Sequence, residues 1–454
     1  MNWNKIRRSL GRGYAWLWGH IEPIKSVLLT FLILFSIFLT WQLWSYTPNL
    51  QKLDEGEPIV SSINGEKRML KDVIQPSKVI LHHNGNHYGT LSLTLPDNVK
   101  GIYERLQSDA FLVPDNNENE VEASPEWFEI IYPTPIPMPV LQDIFIFSGK
   151  NPFSADLGTV KKIVIYKKDN DWLVRFEKSN EGYYDFQITE TSSFANVVED
   201  YLNYRVELES FHMDGNDFYL PKKQILVKEY RYQIDKFDID DYLKFLLPGD
   251  TVKIDSLENR VTYSDGKSIV HYYKRQDRFD YKSRSSKSNP DDLMSQPTII
   301  KAVDFVNNHK GWTDDFHLYE YTNIESKYER KRNVVDLQFQ LSLEGIPVLG
   351  HPISSIELEY TNDELYRYKR SLVDLAYEVG THEVELKSGE QVMQSLEQLQ
   401  ETNVKDIMFG YSIESPEDGI TNASITLEPK WFYKVGSTWL KVEDIKEPLK
   451  NKGR

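Results

Sequence analysis

An uncharged apolar run near the N-terminus constrains this 454-residue chain more than any other feature. Residues 26–44 read SVLLTFLILFSIFLTWQLW and contain no charged side chain. A helix needs about 20 mainly apolar residues to cross the hydrocarbon core of a bilayer. The run therefore predicts one membrane-spanning helix over residues 26–45. Because no second run of this length follows, we expect everything after it to lie on one side of a membrane.

The charges that flank the run predict its orientation. Residues 1–25 contain five basic residues and one acidic residue, a net charge of +4 (Lys5, Arg7, Arg8, Arg12, Lys25 and Glu22). Basic residues close to a spanning helix stay in the cytoplasm. We therefore expect residues 1–25 to be a cytoplasmic segment and residues 46–454 to be extracellular. Since the whole chain carries −16, the part after residue 25 carries −20.

A cleaved signal peptide is the alternative interpretation of the same run. The apolar region of a signal peptide spans about 7–15 residues and ends at a small-x-small cleavage site. This run is longer, and the segment from Trp44 to Pro48 offers no such site. Trp41, Trp44 and Tyr46 instead suit the aromatic belt at the outer interface. We interpret residues 26–45 as a retained single-pass anchor.

Composition limits what residues 46–454 can be. Their length indicates two or three domains of about 100–200 residues each. We predict an N-terminal domain at 46–190, a central α+β domain at 191–290 and a C-terminal α+β domain at 291–454, with a polar linker at 283–296. The chain has no cysteine, which excludes disulfides, thiolate nucleophiles and cysteine-ligated zinc. Its acidic balance argues against binding nucleic acid or anionic wall polymers through charge.

Strand and turn patterns predict an α+β ectodomain that is mostly antiparallel and β-rich. Residues 79–90 surround Asn84-Gly85, a pair typical of a two-residue type I′ hairpin turn. Residues 126–132 (EWFEIIY) form a strand pattern whose sheet pairing should end at the prolines of residues 133–139. Helical spacing and capping residues predict a few helices, at 193–204, 240–247, 298–308 and 389–399.

A search for catalytic sets finds only segments with a structural explanation. Ser264-Asp265-Gly266-Lys267 fits S-x-x-K, and Lys387-Ser388-Gly389 resembles the K-T-G of penicillin-binding enzymes. That chemistry needs the serine at a helix start, whereas Asp265-Gly266 between two strand patterns predicts a hairpin turn. The sequence has no nucleophile elbow, zinc-protease motif or Walker loop. We predict no catalytic residue and no cofactor, while paired carboxylates from distant positions stay open.

His82 and His87 are the best candidates for a metal site. A two-residue turn at 84–85 would place them directly opposite each other across the hairpin. Zinc needs a third and a fourth ligand, but His83 points to the other face and no acidic residue lies nearby in sequence. We favour a half-exposed pair without metal, and we interpret acidic pairs such as Asp314-Asp315 as solvated turns or caps.

The apolar run also suggests an interaction face. At 100° per residue, its hydroxyl side chains fall within an arc of about 120°, centred near Ile33. Hydroxyl residues on one stripe let helices approach closely and hydrogen-bond in lipid. The alternative is that Ser and Thr simply bond to their own backbone. We favour a partner helix, and the predicted partner-binding face comprises Ser26, Thr30, Ile33, Ser36, Ile37 and Thr40.

Several segments, taken in order, resemble the YycH (WalH) family of Gram-positive bacteria. They are the anchor run extended to residues 26–49, residues 72–77 (DVIQPS) leading into HHNGNHYGT, and FEIIYPTPIPMPVLQDIF at 128–145. In the last third, Glu344 to Val348, IELEY and YRYKRSL look like a pattern shared with the sister YycI proteins. The resemblance covers residues 24–454, and residues 1–23 look like an extension before the usual anchor.

The resemblance implies a non-enzymatic regulator in the cell membrane, beside an essential sensor histidine kinase that governs cell-wall metabolism. It also implies a YycI-like partner and contacts between transmembrane helices. Two other classes stay open. One is an anchored extracellular wall-processing enzyme, and the other is a domain that binds a wall fragment or peptide in a groove lined by the prolines of 133–139 and nearby aromatic residues. We favour the regulator.

Overall fold

The structure is a computed structural model of the chain. It describes residues 21–45, 65–89, 101–108, 110–112, 124–148, 158–168, 171–180, 182–189, 199, 202–203, 206–249, 251–283, 296–325, 333–413 and 424–442. The chain divides into two compact units, residues 1–60 and residues 61–454. The first unit contains helix α1, Ile21–Ser45.

Within the part of the chain that the structure describes, no helix meets the length and hydropathy needed to cross a membrane. The membrane-spanning helix at 26–45 therefore stays a prediction.

The helices of the second unit are short, and their starts follow from capping residues. Asp238 caps one of them, because its carboxylate accepts a hydrogen bond from the Asp240 N–H at 3.0 Å. Ser388 and Gln391 form a capping box at another. The helices are α2 Leu70–Val73, α3 Ile102–Ser108, α4 Met138–Gln142, α5 Ile239–Leu246, α6 Thr298–Asn308 and α7 Gly389–Gln398. The last three confirm predicted helices; the one predicted at 193–204 lies mostly outside the described residues.

Ten strands form the first sheet of the described chain, in the order β10-β9-β2-β1-β4-β6-β7-β8-β3-β5. All its pairings are antiparallel except β3 with β5. The strands are β1 Lys78–His83, β2 Asn86–Gly89, β3 Ala110–Leu112, β4 Glu126–Pro137, β5 Ile146–Phe147, β6 Thr159–Lys168, β7 Asp171–Lys178, β8 Tyr183–Ile188, β9 Val206–Met213 and β10 Asn216–Pro221.

Fourteen strands form the second sheet in the described residues. Twelve lie in the order β12-β13-β14-β15-β20-β19-β17-β18-β22-β23-β11-β21, while β16 pairs with β17 and β24 with β23. Their bounds are β11 Ile225–Lys236, β12 Val252–Ser256, β13 Arg260–Ser264, β14 Ser268–Tyr273, β15 Arg278–Ser283, β16 Phe316–Glu325, β17 Asn333–Leu343, β18 Ile346–Leu349, β19 Ser355–Thr361, β20 Glu364–Ser371, β21 Val373–Leu386, β22 Val404–Ile413, β23 Ser424–Val435 and β24 Thr438–Lys441. The β-rich architecture with few helices confirms that part of the predicted fold class.

The β1–β2 hairpin confirms its predicted turn. Asn84 and Gly85 have φ of 50° and 79°, and a type I′ turn requires positive φ at both central residues. The register pairs His82 with His87. A turn of this kind is encoded locally, because Asn and Gly tolerate left-handed backbone better than other residues.

The proline segment departs from expectation. We predicted that its prolines would end sheet pairing, but β4 continues to Pro137. Pairing with β6 is interrupted after Ile131 and resumes at Ile136 and Pro137. Between them, the Thr134 hydroxyl donates to the Tyr321 carbonyl at 3.2 Å and accepts from the Tyr321 N–H at 3.1 Å. Thr134 thus links β4 to β16 of the second sheet, where the flanking prolines have no N–H to offer.

A shared core joins the two sheets. One hydrophobic cluster contains Phe128 of β4, Phe339 of β17 and Ile299 of α6, each with 0% exposure. Strands β9 and β10 belong to the first sheet and β11 to the second, so the sheets divide the chain between Pro221 and Ile225. The predicted domain bounds at 190 and 290 stay predictions, and most of the predicted linker at 283–296 lies outside the described residues.

Candidate functional site

The predicted partner-binding face of α1 carries hydroxyls that bond to their own helix. Thr30 Oγ1 donates to the Ser26 carbonyl and Thr40 Oγ1 to the Ser36 carbonyl, both at 2.8 Å. Ile33 is 52% exposed, and the side chain of Ile37 lies outside the described residues. The hydrogen bonds fit the alternative in which these residues satisfy their own backbone. Whether this face meets a partner stays a prediction.

The two hairpin histidines lie in an aromatic cluster on the first sheet. His82 Nδ1 is 2.7 Å from His87 Nδ1, so one ring donates a hydrogen bond to the other. The His82 ring stacks on Trp127 with centroids 4.4 Å apart, and Tyr219 contacts both histidines edge-on. Burial, and then the neighbouring His82, lower the pKa of His87.

The environment of this pair differs from the expectation in two ways. His82 is only 2% exposed, so the half-exposed pair that we predicted is wrong for this residue. Carboxylates also lie closer than the sequence suggested, because β4 brings Glu126 to His83 (3.0 Å) and Glu129 to within 3.9 Å of His82 Nε2. The longer distance is not a hydrogen bond. No group of three or more metal-ligating side chains is found among the described residues.

The serine motifs that resemble catalytic sets are structural. Ser264 Oγ donates to the Ser268 carbonyl at 2.7 Å and accepts from the Gly266 N–H, which closes the β13–β14 turn. Gly266 has φ of 86° there. Ser388 caps α7 through the Gln391 N–H. Both hydroxyls are therefore engaged in turn and cap geometry.

We predicted Asp314 and Asp315 to be solvated turns or caps, and the structure shows both residues partly exposed but engaged with different partners. Asp314 Oδ1 accepts a hydrogen bond from the Leu375 N–H at 3.1 Å, and burial, with nearby Asp374, raises its pKa to about 6. Asp315 pairs with Arg68 and with His317, 3.2 Å away. Burial alone would raise the pKa of Asp315, but these two partners lower it to about 2. The pKa values of these two adjacent carboxyl groups therefore shift in opposite directions.

A cavity of about 100 Å³ lies where the two sheets meet. Strands β1, β2, β9 and β10 line one side, and β18, β22 and β23 line the other. Its wall is mainly apolar, and none of the described residues that line it is Asp or Glu. Lys78 at its edge forms an ion pair with Asp406 and donates to the Ile407 carbonyl at 2.9 Å. A smaller adjoining cavity includes Pro133, His317 and Met408.

Comparison with known proteins identifies the family. A model of the YycH protein N-terminal domain matches residues 22–206, and a model of its C-terminal domain matches residues 215–448. The chain belongs to the YycH family. A relative from Bacillus subtilis (strain 168), named two-component system WalR/WalK regulatory protein YycH, is 21% identical over 453 residues, which cover 91% of this chain and 94% of the relative. This confirms the family that the sequence motifs indicated.

A solved YycH structure shares the fold. The crystal structure of YycH from Bacillus subtilis matches with a TM-score of 0.61 at 16% identity, over 84% of this chain and 98% of that one. The β-rich, multi-domain architecture is therefore that of the YycH family.

Sequence reasoning missed the cavity in this member of the YycH family. Its two sides are separated by more than a hundred residues in sequence, and no motif marks residues that meet through sheet packing. One signal was present: the prolines of 133–139 were considered as a groove, and Pro133 does line the smaller cavity. No sequence pattern predicted the ion pair between Lys78 and Asp406.

Proposed function

We propose that this chain is a single-pass, membrane-anchored regulator of a sensor histidine kinase and has no catalytic activity of its own. The observation that carries the proposal is the match of both YycH domain models along the chain. The Bacillus subtilis relative is named a regulatory protein of the WalR/WalK two-component system. We place the kinase in control of cell-wall metabolism, as the family resemblance implies.

The proposed topology follows from the flanking charges. Residues 1–25 lie in the cytoplasm, residues 26–45 cross the cell membrane, and residues 46–454 are extracellular. The helix contacts the kinase and a YycI-like partner through Ser26, Thr30, Ile33, Ser36, Ile37 and Thr40, and the extracellular part makes further contacts. A hydroxyl that donates to its own helix still has lone pairs that accept a hydrogen bond from a neighbour.

Regulation requires that the chain bind one kinase state better than the other. A ligand can shift a two-state equilibrium only by its difference in affinity for the two states. A difference of about 1–3 kcal/mol would change the output about 5–150-fold. Contacts of a few side chains along one helix face are sufficient for an effect of this size.

A cysteine scan along α1 tests the proposed face. The chain has no cysteine of its own, so single cysteines at positions 26–44 can be crosslinked in cells without background from this protein. We expect crosslinks to another membrane protein at a helical period centred on Ile33. Phe31 and Phe35 are matched control positions, because their stacked rings (6.1 Å between centroids) share the opposite face. Crosslinks of equal yield at all positions would contradict a specific face.

Kinase output supplies a second test. Ile33→Arg, or a helix with the same composition in scrambled order, should uncouple the chain from the kinase while expression is unchanged. A scrambled helix that regulates normally would show that the helix is a plain anchor and would shift regulation to the extracellular part.

A further inference from the structure

The two hairpin histidines form a contact that depends on their protonation. The hydrogen bond between His82 Nδ1 and His87 Nδ1, 2.7 Å apart, needs one nitrogen with a proton and one without. A first added proton preserves this bond, because His82 can donate from Nδ1 while Glu129 lies 3.9 Å from its Nε2, which has no hydrogen-bond partner. A second proton makes both Nδ1 atoms donors, so the bond is lost and two cations meet.

The two rings are confined by aromatic neighbours. His82 is 2% exposed, and its ring stacks on Trp127 of β4 with centroids 4.4 Å apart. Tyr219 of β10 contacts both histidines edge-on, at 5.2 and 4.9 Å between centroids. His87 is only half-buried, so protons can reach it from solvent. Repulsion between two charged rings is therefore transmitted to the strands that carry and surround them.

The titratable and charged groups that face the pair do not offset a second positive charge. They are Glu129 of β4, Lys162 of β6, and Tyr219 and Asp217 of β10. Glu129 is already paired with Lys162 at 3.1 Å. Asp217 is paired with His212 at 2.8 Å. Strand β9 places the apolar Leu208 opposite His87.

The balance of these groups favours the neutral form of His87. Burial and the neighbouring His82 lower the pKa of His87, against a smaller opposing effect of Glu129. The stability that comes from neutral His87 is therefore complete above about pH 6.5, the pKa of an unperturbed histidine. It decreases as pH falls through the lowered pKa, because the unfolded chain then binds more protons than the folded one.

The pair lies where the β9–β10 hairpin joins the first sheet. Among the described strands, this hairpin pairs with the rest of the sheet through β2, in a register of His87 with Leu208, Tyr88 with Glu207 and Gly89 with Val206. The tip of the hairpin reaches β22 of the second sheet. There, Asn216 Nδ2 donates to the Val404 carbonyl and Asp214 Oδ2 accepts from the Val404 N–H, both at 3.2 Å. The hairpin also forms part of the cavity wall, so its attachment to β2 affects how the two sheets are joined.

We propose that His82 and His87 form a pH-sensitive switch, which keeps the β9–β10 hairpin paired with β2 at neutral pH and releases it when both rings are protonated. Histidine is the side chain whose charge changes most readily between about pH 5 and pH 8. Protonation of histidine clusters in this range is a known way to change an interface. Release of the hairpin opens the first-sheet side of the cavity and loosens the link to β22. The switch does not depend on the proposed kinase regulation.

Hydrogen–deuterium exchange of the full-length chain in lipid nanodiscs, at about pH 7.5 and about pH 5, tests the switch. After correction for the intrinsic exchange rate, we expect the amides of β9 and β10 to exchange about tenfold faster at the lower pH, because a stabilising hydrogen bond is lost. The amides of β6 and β7, in the same sheet, are the internal reference and should keep their protection. Unchanged exchange of β9 and β10, or an equal increase in β6 and β7, would overturn the proposal.

Variants assign the response to this pair. His87→Gln can still hydrogen-bond to His82 but has no titratable ring, so β9 and β10 should exchange equally at both pH values. His212→Gln is the matched control, because His212 lies on β9 with its side chain 70% exposed and should leave the tenfold response intact. A response that survives His87→Gln, or that disappears in His212→Gln, would refute the switch.

A second variant covers the case in which His87→Gln lowers the melting temperature at neutral pH. His87→Phe keeps an aromatic ring against His82 and Tyr219 but cannot be protonated. Exchange that no longer depends on pH in His87→Phe supports the switch, and exchange that still increases tenfold in acid contradicts it. No kinase takes part in these measurements, so their outcome does not bear on the proposed kinase regulation.

Discussion

Among the described residues, each sheet buries one arginine, and the charges of the two arginines are stabilised in different ways. Arg175 on β7 is 8% exposed and forms a bidentate pair with Asp185, at 2.8 and 2.9 Å. Arg370 on β20 is 2% exposed and donates instead to the Ser371 and Gly311 carbonyls and to Thr313 Oγ1. A carboxylate neutralises the first arginine, whereas backbone carbonyls and a hydroxyl stabilise the charge of the second without cancelling it.

The difference shows where each partner comes from. Asp185 lies directly opposite Arg175 in the β7–β8 register, so the sheet itself delivers the pair. One acceptor of Arg370 is the carbonyl of its neighbour Ser371, but the other two, on Gly311 and Thr313, lie in the loop between α6 and β16, far away in sequence. That loop approaches closely because residue 311 is glycine: a Cβ there would lie 2.6 Å from Val306 Cγ1 and 3.1 Å from Arg370 Nη1. A loop-built site of this kind depends on tertiary packing.

Removing Arg370 should have the largest effect. Arg370→Met leaves the Gly311 carbonyl without its donor and leaves the partly buried Asp314 without a nearby positive charge. We expect a loss of about 4 kcal/mol in the free energy of unfolding, measured by urea denaturation with circular dichroism. Arg370→Lys should recover only part of it, because an ammonium cannot reproduce the guanidinium fork. A loss below about 1 kcal/mol for Arg370→Met would contradict this account.

The Arg175–Asp185 pair should behave as an ordinary buried ion pair. Arg175→Met should cost about 3 kcal/mol, since it leaves the Asp185 carboxylate buried alone. The double variant Arg175→Met, Asp185→Leu should be closer to wild type than the single one, because no unpaired charge remains. Arg275→Gln is the exposed control, as its pair with Glu258 is open to solvent, and should cost less than about 1 kcal/mol. Equal losses of unfolding free energy for Arg175→Met and Arg275→Gln would show that burial does not distinguish these two ion pairs.

Substitution of Asp314, beside Arg370, should change the unfolding free energy least, and its effect should depend most specifically on pH. Its pKa in the folded state is raised to about 6, above the value of about 3.9 in unfolded chains. Between these values the folded state holds a proton that the unfolded state has lost, so stability from Asp314 decreases as pH rises from about 4 to 6. Asp314→Asn should therefore stabilise the protein at pH 7 by about 2 kcal/mol, after a reduction for partial exposure, and be neutral below about pH 4.

Asp315→Asn is the matched control with the opposite sign. The pKa of Asp315 is lowered to about 2, so its stabilisation is present above about pH 4 and is lost as pH falls towards 2. Unfolding free energies of both variants from pH 3 to 7 check the pair of predictions. A pH-independent difference between Asp314→Asn and wild type would show that this carboxyl does not titrate in the range described.

Much of the local structure could be predicted from particular residues. Asn84, Gly85 and Gly266 specify turns because they tolerate positive φ, and Ser388 with Gln391 specifies the start of α7. The prediction that the proline segment ends the sheet pairing was wrong. The Thr134 side chain forms hydrogen bonds to β16, which the proline nitrogens cannot do because they carry no N–H. His82 and His87 were placed correctly opposite each other, but their burial against Trp127 and Tyr219 depends on strands far along the chain.

By itself, the sequence determined the hairpin turns, three helices and the family, since these depend on short-range backbone preferences and on ordered motifs. Only the tertiary structure decided which charges are neutralised. Asp314 and Asp315 are adjacent in the chain, yet their pKa values move in opposite directions because the first is partly buried near Asp374 and the second meets Arg68 and His317. The cavity likewise forms only because the two sheets meet, and the electrostatic environment of a side chain is set by the groups that pack around it.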